Sequence, residues 1–248
     1  DGSLRIGWTG RGKPVAVIVP YKFQKCNGVP FSPFAARPAP TNFGIPLRFL
    51  RPDDIIQKTR LLYDKGNHGM ETIRLYTERL VIRPFCEQDT DRYFQLLAAP
   101  AVHCFVPEKV EHIEQVSAKI RTNQTQTDGS ELAVCLKETD EFIGTLFGLW
   151  EGDTFSVCWN FLPDFCGKGF AYEAANAYLD FLFHQMNARR IYAYVEDYNI
   201  SSQRLCKKLG MRQEGLFQEY ISFINNPDGT PLYENTMQFA ILKKEWEQ

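Results

Sequence analysis

The chain has 248 residues, of which 44% are hydrophobic and 23% charged, and its formal net charge is −2. These proportions are typical of a globular protein with one large or two small domains. No apolar run approaches the ~20 residues of a membrane-spanning helix, the first residues lack the layout of a signal peptide, and the near-neutral total gives no argument for nucleic-acid binding.

Residues 1–69 differ in composition from the remainder. They carry eleven Lys and Arg against four Asp and no Glu, and they hold eight of the 14 prolines. One strand (Val15–Val19) and one short helix (Asp53–Tyr63) are predicted there, in otherwise irregular chain. Three interpretations stay open: a poorly ordered basic arm, an extension packed on the main domain, and a segment outside the native gene product, with Met70 as the start.

Residues 70–248 are predicted to form the main domain. Alternating polarity indicates its strands, apolar residues at helical spacing indicate its helices, and Gly and Pro separate them. In chain order the predicted elements are a strand over Arg79–Pro84, helices after Gln88 and over Glu111–Thr122, strands over Glu131–Lys137, Phe142–Trp150 and Thr154–Phe161, a helix from Gly169 to Met186, a strand over Arg190–Val195, a helix over Ser201–Leu209, and strands over Gln213–Phe223 and Glu234–Leu242.

This order predicts an α+β domain with a mixed sheet, because hairpins alternate with one βαβ crossover. The crossover makes the strand ending at Phe161 and the strand Arg190–Val195 parallel neighbours. Ligands of such sheets bind beyond the carboxyl ends of the strands. The loop after Phe161 and the loop around Asn199 both lie there, so we expect the binding site at that edge.

The loop Cys166–Ala171 contains two glycines and leads into a helix. The first amides of a helix have no internal partners, and together with the helix dipole they attract anions such as phosphates. Glycine at 167 and 169 lets such an anion approach the backbone. A plain strand–glycine–helix junction is the alternative, and the two glycines alone are weak evidence for a phosphate site. Neither a Walker A loop nor a GxGxxG fingerprint is present.

Seven cysteines are scattered along the chain, without any CxxC pair. This spacing argues against a disulfide framework and a zinc site and favours a reducing compartment, so we expect a cytoplasmic protein without a metal.

Four segments, in order, resemble the GNAT superfamily of acetyl-CoA-dependent N-acetyltransferases, and in particular the Rim-type branch that acetylates the N-termini of ribosomal proteins. They are TERLVIRPF (77–85), FCGKGFAYEA (165–174), NISSQRLCKKLGM (199–211) and FAILKKEW (239–246). The resemblance implies a mostly antiparallel sheet of six to seven strands flanked by several helices, with a splayed parallel pair. It implies acetyl-CoA as acyl donor and a primary amine as acceptor, in a monomer or homodimer.

The resemblance also implies the site residues. Residues expected to bind acetyl-CoA are Phe161, Leu162, Cys166, Gly167, Lys168, Gly169, Phe170, Ala171, Asn199 and Ser202. Cys166 stands where the family usually has Gln or Arg. The pantetheine arm is expected in the gap of the parallel pair, and a main-chain amide near Phe161 is expected to bind the oxyanion.

For catalysis, the resemblance makes Glu219 the general base and Ser202 the group that protonates the leaving thiolate. His103 and Phe105 are expected to line the acceptor site. Each has a simpler alternative: an exposed strand carboxylate for Glu219, helix capping for Ser202 and Asn199, and a packed loop histidine for His103. A non-catalytic acyl-CoA-binding module is the alternative to an enzyme.

Overall fold

The computed structural model describes residues 73–123 and 129–248 of the chain. The basic extension 1–69, with its predicted strand Val15–Val19 and helix Asp53–Tyr63, lies outside the described residues.

Within the described ranges, eight strands form one sheet in the order β1-β2-β3-β4-β5-β6-β8-β7. All neighbours are antiparallel except β5 and β6, which are parallel. The strands are β1 (Leu75–Tyr76), β2 (Leu80–Arg83), β3 (Gly129–Leu136), β4 (Phe142–Glu151), β5 (Thr154–Phe161), β6 (Arg190–Glu196), β7 (Arg212–Asn225) and β8 (Pro231–Leu242).

Five α-helices occur in the same ranges: α1 (Thr90–Ala98), α2 (Ile113–Asn123), α3 (Phe170–His184), α4 (Ile200–Lys208) and α5 (Lys243–Trp246). Short 3-10 turns span Glu87–Asp89, His103–Glu108 and Pro163–Phe165. One apolar cluster joins α3 and α4 to the sheet and includes Tyr178, Phe183 and Phe239. A second joins α1 and α2 to the opposite face and includes Phe85 and Tyr93. The helices therefore cover both faces.

The predicted α+β fold, with a mostly antiparallel sheet and one βαβ crossover, is confirmed. The sheet has one strand more than predicted, because β1 has only two residues and is too short for a visible alternation. The polar run at Gln88–Asp91 does not cap α1 with a side chain. The Asp89 carboxylate instead binds the Arg83 guanidinium at 2.8 and 3.0 Å and the Cys86 amide at 2.8 Å.

The parallel pair β5–β6 is joined only at its start. Residues 154–156 of β5 pair with residues 190–192 of β6, and the pairing ends at Ser156 and Tyr192. β5 continues for five more residues to Phe161, and β6 for four more to Glu196. The predicted splay therefore exists, and it opens toward the carboxyl ends of both strands.

No helix in the described ranges is long and apolar enough to span a membrane. The same ranges contain six cysteines, all as free thiols, and no cluster of three or more His, Cys, Asp or Glu side chains suited to a metal ion.

Candidate active site

The glycine loop after β5 adopts a backbone that only glycine accepts easily. The 3-10 turn Pro163–Phe165 reverses the chain, and Cys166 closes it by donating its amide to the Pro163 carbonyl at 3.1 Å. Gly167 and Gly169 then have φ angles of +75° and +85°. Side chains disfavour this left-handed region, so both glycines are required by the path of the loop into α3.

The amides from Gly167 to Tyr172 donate no hydrogen bond to any part of the described chain. The first amide of α3 that has an acceptor is that of Glu173, which donates to the Gly169 carbonyl at 3.1 Å. Gly169 occupies the N-cap position and has no side chain to cap the helix. A row of unsatisfied N–H groups at the positive end of a 15-residue helix is a binding site for an anion.

Arg79 and Glu173 fix this loop to the sheet. The Glu173 carboxylate accepts hydrogen bonds from the Thr77 hydroxyl (2.6 Å), the Arg79 amide (2.8 Å) and the Arg79 guanidinium (2.7 Å). The same guanidinium donates to the Lys168 carbonyl at 3.2 Å and lies 4.4 Å from the Phe170 ring centre. Although partial burial opposes it, hydrogen bonding from Thr77 and Arg79 holds the pKa of Glu173 below its usual range.

The other predicted loop residues have distinct environments. Cys166 is exposed, its Sγ lies 3.6 Å from the Leu162 carbonyl, and partial burial raises the pKa of its thiol. Lys168 is exposed, with Nζ 5.6 Å from the Phe165 ring centre. Leu162 is buried, and its amide and carbonyl both bond within the protein, to Ile143 and Phe165. A contact of Leu162 with a cofactor stays a prediction.

Phe161, Phe170 and Ala171 are half-buried around the loop. Phe161 ends β5 and pairs with Gly144, where an added Cβ would lie 2.6 Å from the Phe161 ring. The absence of a side chain at Gly144 thus leaves room for the Phe161 ring beside β4.

Trp159 of β5 and Ser202 of α4 are joined by a hydrogen bond of 3.1 Å from the indole N–H to the serine Oγ. Indole Nε1 is only a donor, so the hydroxyl must be the acceptor. The proton of the Ser202 hydroxyl is therefore available to a different acceptor. Ser202 is thus held as a donor beside the β5 strand that borders the splay.

Asn199 is the N-cap of α4, as the simpler alternative predicted. Its Oδ1 accepts from the Ser202 amide at 3.2 Å, and its Nδ2 donates to the Glu196 carboxylate at 3.4 Å. Both polar atoms of the side chain are thus used within the protein. Asn199 therefore holds the first turn of α4, which includes Ser202, against the end of β6.

Glu219 lies in an irregular stretch of β7, where the register with β8 shifts between Phe217 and Ile221. Its φ is +46°, its amide donates to the Asn235 Oδ1 at 2.9 Å, and its side chain is exposed. The next residue, Tyr220, places its ring 6.0 Å from that of Tyr194 on β6. Tyr220 therefore faces the sheet at the position where Glu219 bulges.

His103 and Phe105 lie on the 3-10 turn between α1 and α2, which packs against β7. Phe105 is buried. His103 is partly exposed, and its Nδ1 contacts the carboxylate of Glu234, which is 7% exposed. The Tyr198 hydroxyl donates to the same carboxylate at 3.3 Å and accepts from the His103 amide at 3.2 Å. The sequence did not indicate this group, because its members are far apart in the chain.

Comparison with known proteins agrees with this geometry. The profile of the acetyltransferase (GNAT) domain matches residues 79–212, which is more than half of the chain. The uncharacterized N-acetyltransferase YnaD of Bacillus subtilis (strain 168) is 34% identical over 177 residues, covering 70% of this chain and 99% of that protein. The chain belongs to the GNAT acetyltransferase family.

Other relatives of this GNAT protein agree. The uncharacterized N-acetyltransferase p20 of Bacillus licheniformis is 30% identical, covering 71% of this chain and 99% of that protein. A crystal structure of a GNAT acetyltransferase from Bacillus anthracis superposes with a TM-score of 0.61 at 29% identity, covering 69% of this chain and 99% of that one. N-Acetyltransferase is thus the enzyme class of this GNAT protein.

Proposed function

We propose that this GNAT protein transfers the acetyl group of acetyl-CoA to a primary amine by direct attack in a ternary complex. The observation that carries the proposal is the run of unpartnered amides from Gly167 to Tyr172 beside the splay of β5 and β6. A diphosphate needs several such donors, and a pantetheine chain with amide groups needs an unpaired strand edge. Coenzyme A supplies both features in one molecule.

The chain's own groups fit the donor half of this reaction. The amides of residues 167–171 bind the diphosphate, and Lys168 adds a positive charge. The unpaired edge of β5, past Ser156, pairs with the pantetheine amides, and an amide near Phe161 binds the oxyanion that forms on the thioester carbonyl. Ser202, whose hydroxyl proton is not used by Trp159, donates to the leaving thiolate.

The acceptor must arrive as a neutral amine, so a base must remove the ammonium proton. The amine nitrogen then forms a bond to the thioester carbonyl carbon, and the carbon–sulfur bond breaks. The thiolate takes up a proton from Ser202, which regains one as the nitrogen loses its second proton to become the amide. The resemblance to the Rim-type branch suggests Glu219 as this base. Its exposed side chain and bulged position on β7 are compatible with a group that meets an incoming amine.

The acceptor is proposed as a protein N-terminus or a small amine. The spermidine/spermine N-acetyltransferase SpeG from Vibrio cholerae shares the fold, with a TM-score of 0.54 at 20% identity over 68% of this chain and 95% of that one. At 20% identity, this similarity shows a shared fold alone. We propose a cytoplasmic protein, monomeric or homodimeric, in which residues 70–248 form the catalytic domain and no metal takes part.

Two measurements on the full chain test the proposal. Isothermal titration with coenzyme A measures donor binding, and release of free thiol from acetyl-CoA measures transfer to a panel of spermidine, amino acids, an aminoglycoside and peptides beginning with Ser or Ala. We expect binding together with acceptor-dependent thiol release. Binding without release for any acceptor favours the acyl-CoA-binding module, and an absence of binding refutes both functions.

A further inference from the structure

The group formed by His103, Tyr198 and Glu234 has the geometry of an oriented base. Glu234 lies on β8 with a buried carboxylate, whereas 39% of the His103 side chain is exposed. The carboxylate contacts Nδ1 of the imidazole and accepts the Tyr198 hydroxyl at 3.3 Å. The His103 backbone is fixed as well, because its amide donates to the Tyr198 hydroxyl at 3.2 Å. The ring and its backbone are therefore both held by the same two neighbours.

This arrangement selects the tautomer of the imidazole. A carboxylate accepts hydrogen bonds, so the nitrogen facing Glu234 must carry the proton. In the neutral ring the other nitrogen, Nε2, is then an acceptor. No group in the described ranges donates to His103 Nε2. A base oriented by a buried carboxylate is the arrangement that recurs where a side chain must remove a proton from a nucleophile.

The group lies next to the mouth of the splay. Tyr198 occupies the loop between the end of β6 and the N-cap Asn199, one helical turn before Ser202. Glu234 lies two residues before Thr236, which pairs with the last residue of β6. The turn carrying His103 therefore packs over the carboxyl end of β6, beside the helix start that holds Ser202.

We infer that His103, oriented by Glu234, is the general base that takes the ammonium proton of the acceptor, in place of Glu219. The inference deepens the proposed acetyl transfer and rests on it. The first proton moves from the amine nitrogen to Nε2, and the lone pair left on nitrogen attacks the thioester carbon. The carbon–sulfur bond then breaks, and the nitrogen passes its second proton to the leaving thiolate by way of the Ser202 hydroxyl. The imidazolium returns the first proton to solvent. The positive ring is stabilised by the Glu234 carboxylate, whereas the exposed carboxylate of Glu219 has no such partner in the described ranges.

The charged and titratable groups that face His103 come from each element packed against it. Glu234 on β8 and Tyr198 in the loop after β6 contact His103 directly, and Glu196 at the end of β6 and Cys104 on the same turn act electrostatically on Tyr198. The turn also packs against β7, the strand that carries Glu219 and Tyr220. Burial first, and then the negative charges of Glu196 and Glu234, raise the pKa of Tyr198. Tyr198 thus stays a neutral hydroxyl and does not compete with the imidazole for the proton.

The test compares His103→Gln, Glu234→Gln and Glu219→Gln in the thiol-release assay, with the panel acceptor that wild type acetylates fastest. His112→Gln is the matched control, because His112 is exposed and lies outside the site. We expect His103→Gln to lower kcat/KM by about 10²- to 10⁴-fold at neutral pH. The affinity for coenzyme A, measured by titration, should equal that of wild type.

The pH dependence separates a base from a structural residue. A primary amine loses its proton unaided as the pH approaches its own pKa, about 8 for an α-amino group and about 10.4 for an alkyl amine. The deficit of His103→Gln should therefore shrink as the pH rises, and added imidazole should restore activity to His103→Ala. Glu234→Gln should show a smaller loss of kcat/KM that also shrinks as the pH rises. His112→Gln should show no loss.

The outcomes are distinct. If wild type transfers acetyl groups and His103→Gln keeps its kcat/KM, or if only Glu219→Gln shows the pH-dependent deficit, the base is not His103 and the proposed function stands. If His103→Gln is inactive at every pH and imidazole rescues nothing, His103 has a structural role. If wild type binds coenzyme A and acetylates no amine, the proposed function fails and the inference fails with it.

Discussion

Replacing Gly167 by Ala tests whether the glycine loop binds the diphosphate of coenzyme A. The φ of Gly167 is +75°, and nothing in the described chain lies within 4 Å of the Cβ that the change would add. Gly229, in the hairpin between β7 and β8, has a φ of +86° and the same open space. Gly229→Ala is therefore a matched control, because it introduces the same backbone strain in a turn away from the proposed site.

The two changes should have equal effects on stability. A non-glycine residue in the left-handed region costs about 1–2 kcal/mol. For a domain of this size each kcal/mol lowers the melting temperature by roughly 2–4 °C. Both variants should therefore melt several degrees below wild type. Only Gly167→Ala should weaken coenzyme A binding, since its methyl group stands where the diphosphate meets the backbone. We expect a loss of at least about tenfold, which is 1.4 kcal/mol.

Thermal unfolding and isothermal titration with coenzyme A measure the two quantities on the same samples. The informative result is a difference in affinity between variants of equal stability. If Gly167→Ala and Gly229→Ala melt together and bind coenzyme A as tightly as wild type, the amides of residues 167–172 do not hold the diphosphate. The start of α3 would then not be the diphosphate site, whatever the activity of the enzyme.

Three further predictions concern neighbouring features. Glu173→Gln should lower the free energy of unfolding by about 2 kcal/mol at pH 7, because it removes the charge that binds Thr77 and Arg79. The fold lowers the pKa of Glu173 from its ordinary value of 4.5. The difference in unfolding free energy between wild type and Glu173→Gln, measured by urea unfolding, should therefore be constant above pH 4.5 and become smaller below it. A difference that grows in acid contradicts this role of Glu173. Ser202→Ala should reduce kcat about tenfold or more in the thiol-release assay at saturating acetyl-CoA, and an unchanged kcat rules out its role as donor to the thiolate. A chain beginning at Met70 should bind coenzyme A as tightly as the full chain in titration, and a large loss would show that residues 1–69 contribute to the site.

The donor half of the site was predictable from sequence because local residues produce it. Gly167 and Gly169 set the backbone of the loop, and the helix that follows leaves the amides unpaired, so six consecutive residues carry the signal. The parallel pair follows from the βαβ crossover, which the order of strands already indicated, and its splay was implied by the resemblance to the GNAT superfamily. What the sequence did not show is how the loop is held. The Arg79–Glu173 contact joins segments 94 residues apart, and such a pairing is not visible in the linear sequence.

The acceptor half depends on side chains that only the folded sheet brings together. His103 and Glu234 are 131 residues apart, and they meet because β8 inserts between β6 and β7. The predicted residue pair of this region, His103 and Phe105, separates in the structure: His103 is partly exposed, whereas Phe105 is buried. A 3-10 turn has three residues per turn, so neighbours two apart point in different directions.

The two halves of the site therefore differ in what a substitution can change. In the proposed donor site the main-chain amides make the contacts, so we expect side chains along the loop to vary as long as the two left-handed glycines stay. Cys166 illustrates this, because its amide is already used by Pro163 and lies outside the unpartnered run, so the departure from the usual Gln or Arg removes no amide from the cradle. The proposed acceptor site instead rests on a few mutually fixed side chains around His103. We therefore expect substitutions there to change which amine is accepted while leaving coenzyme A binding intact.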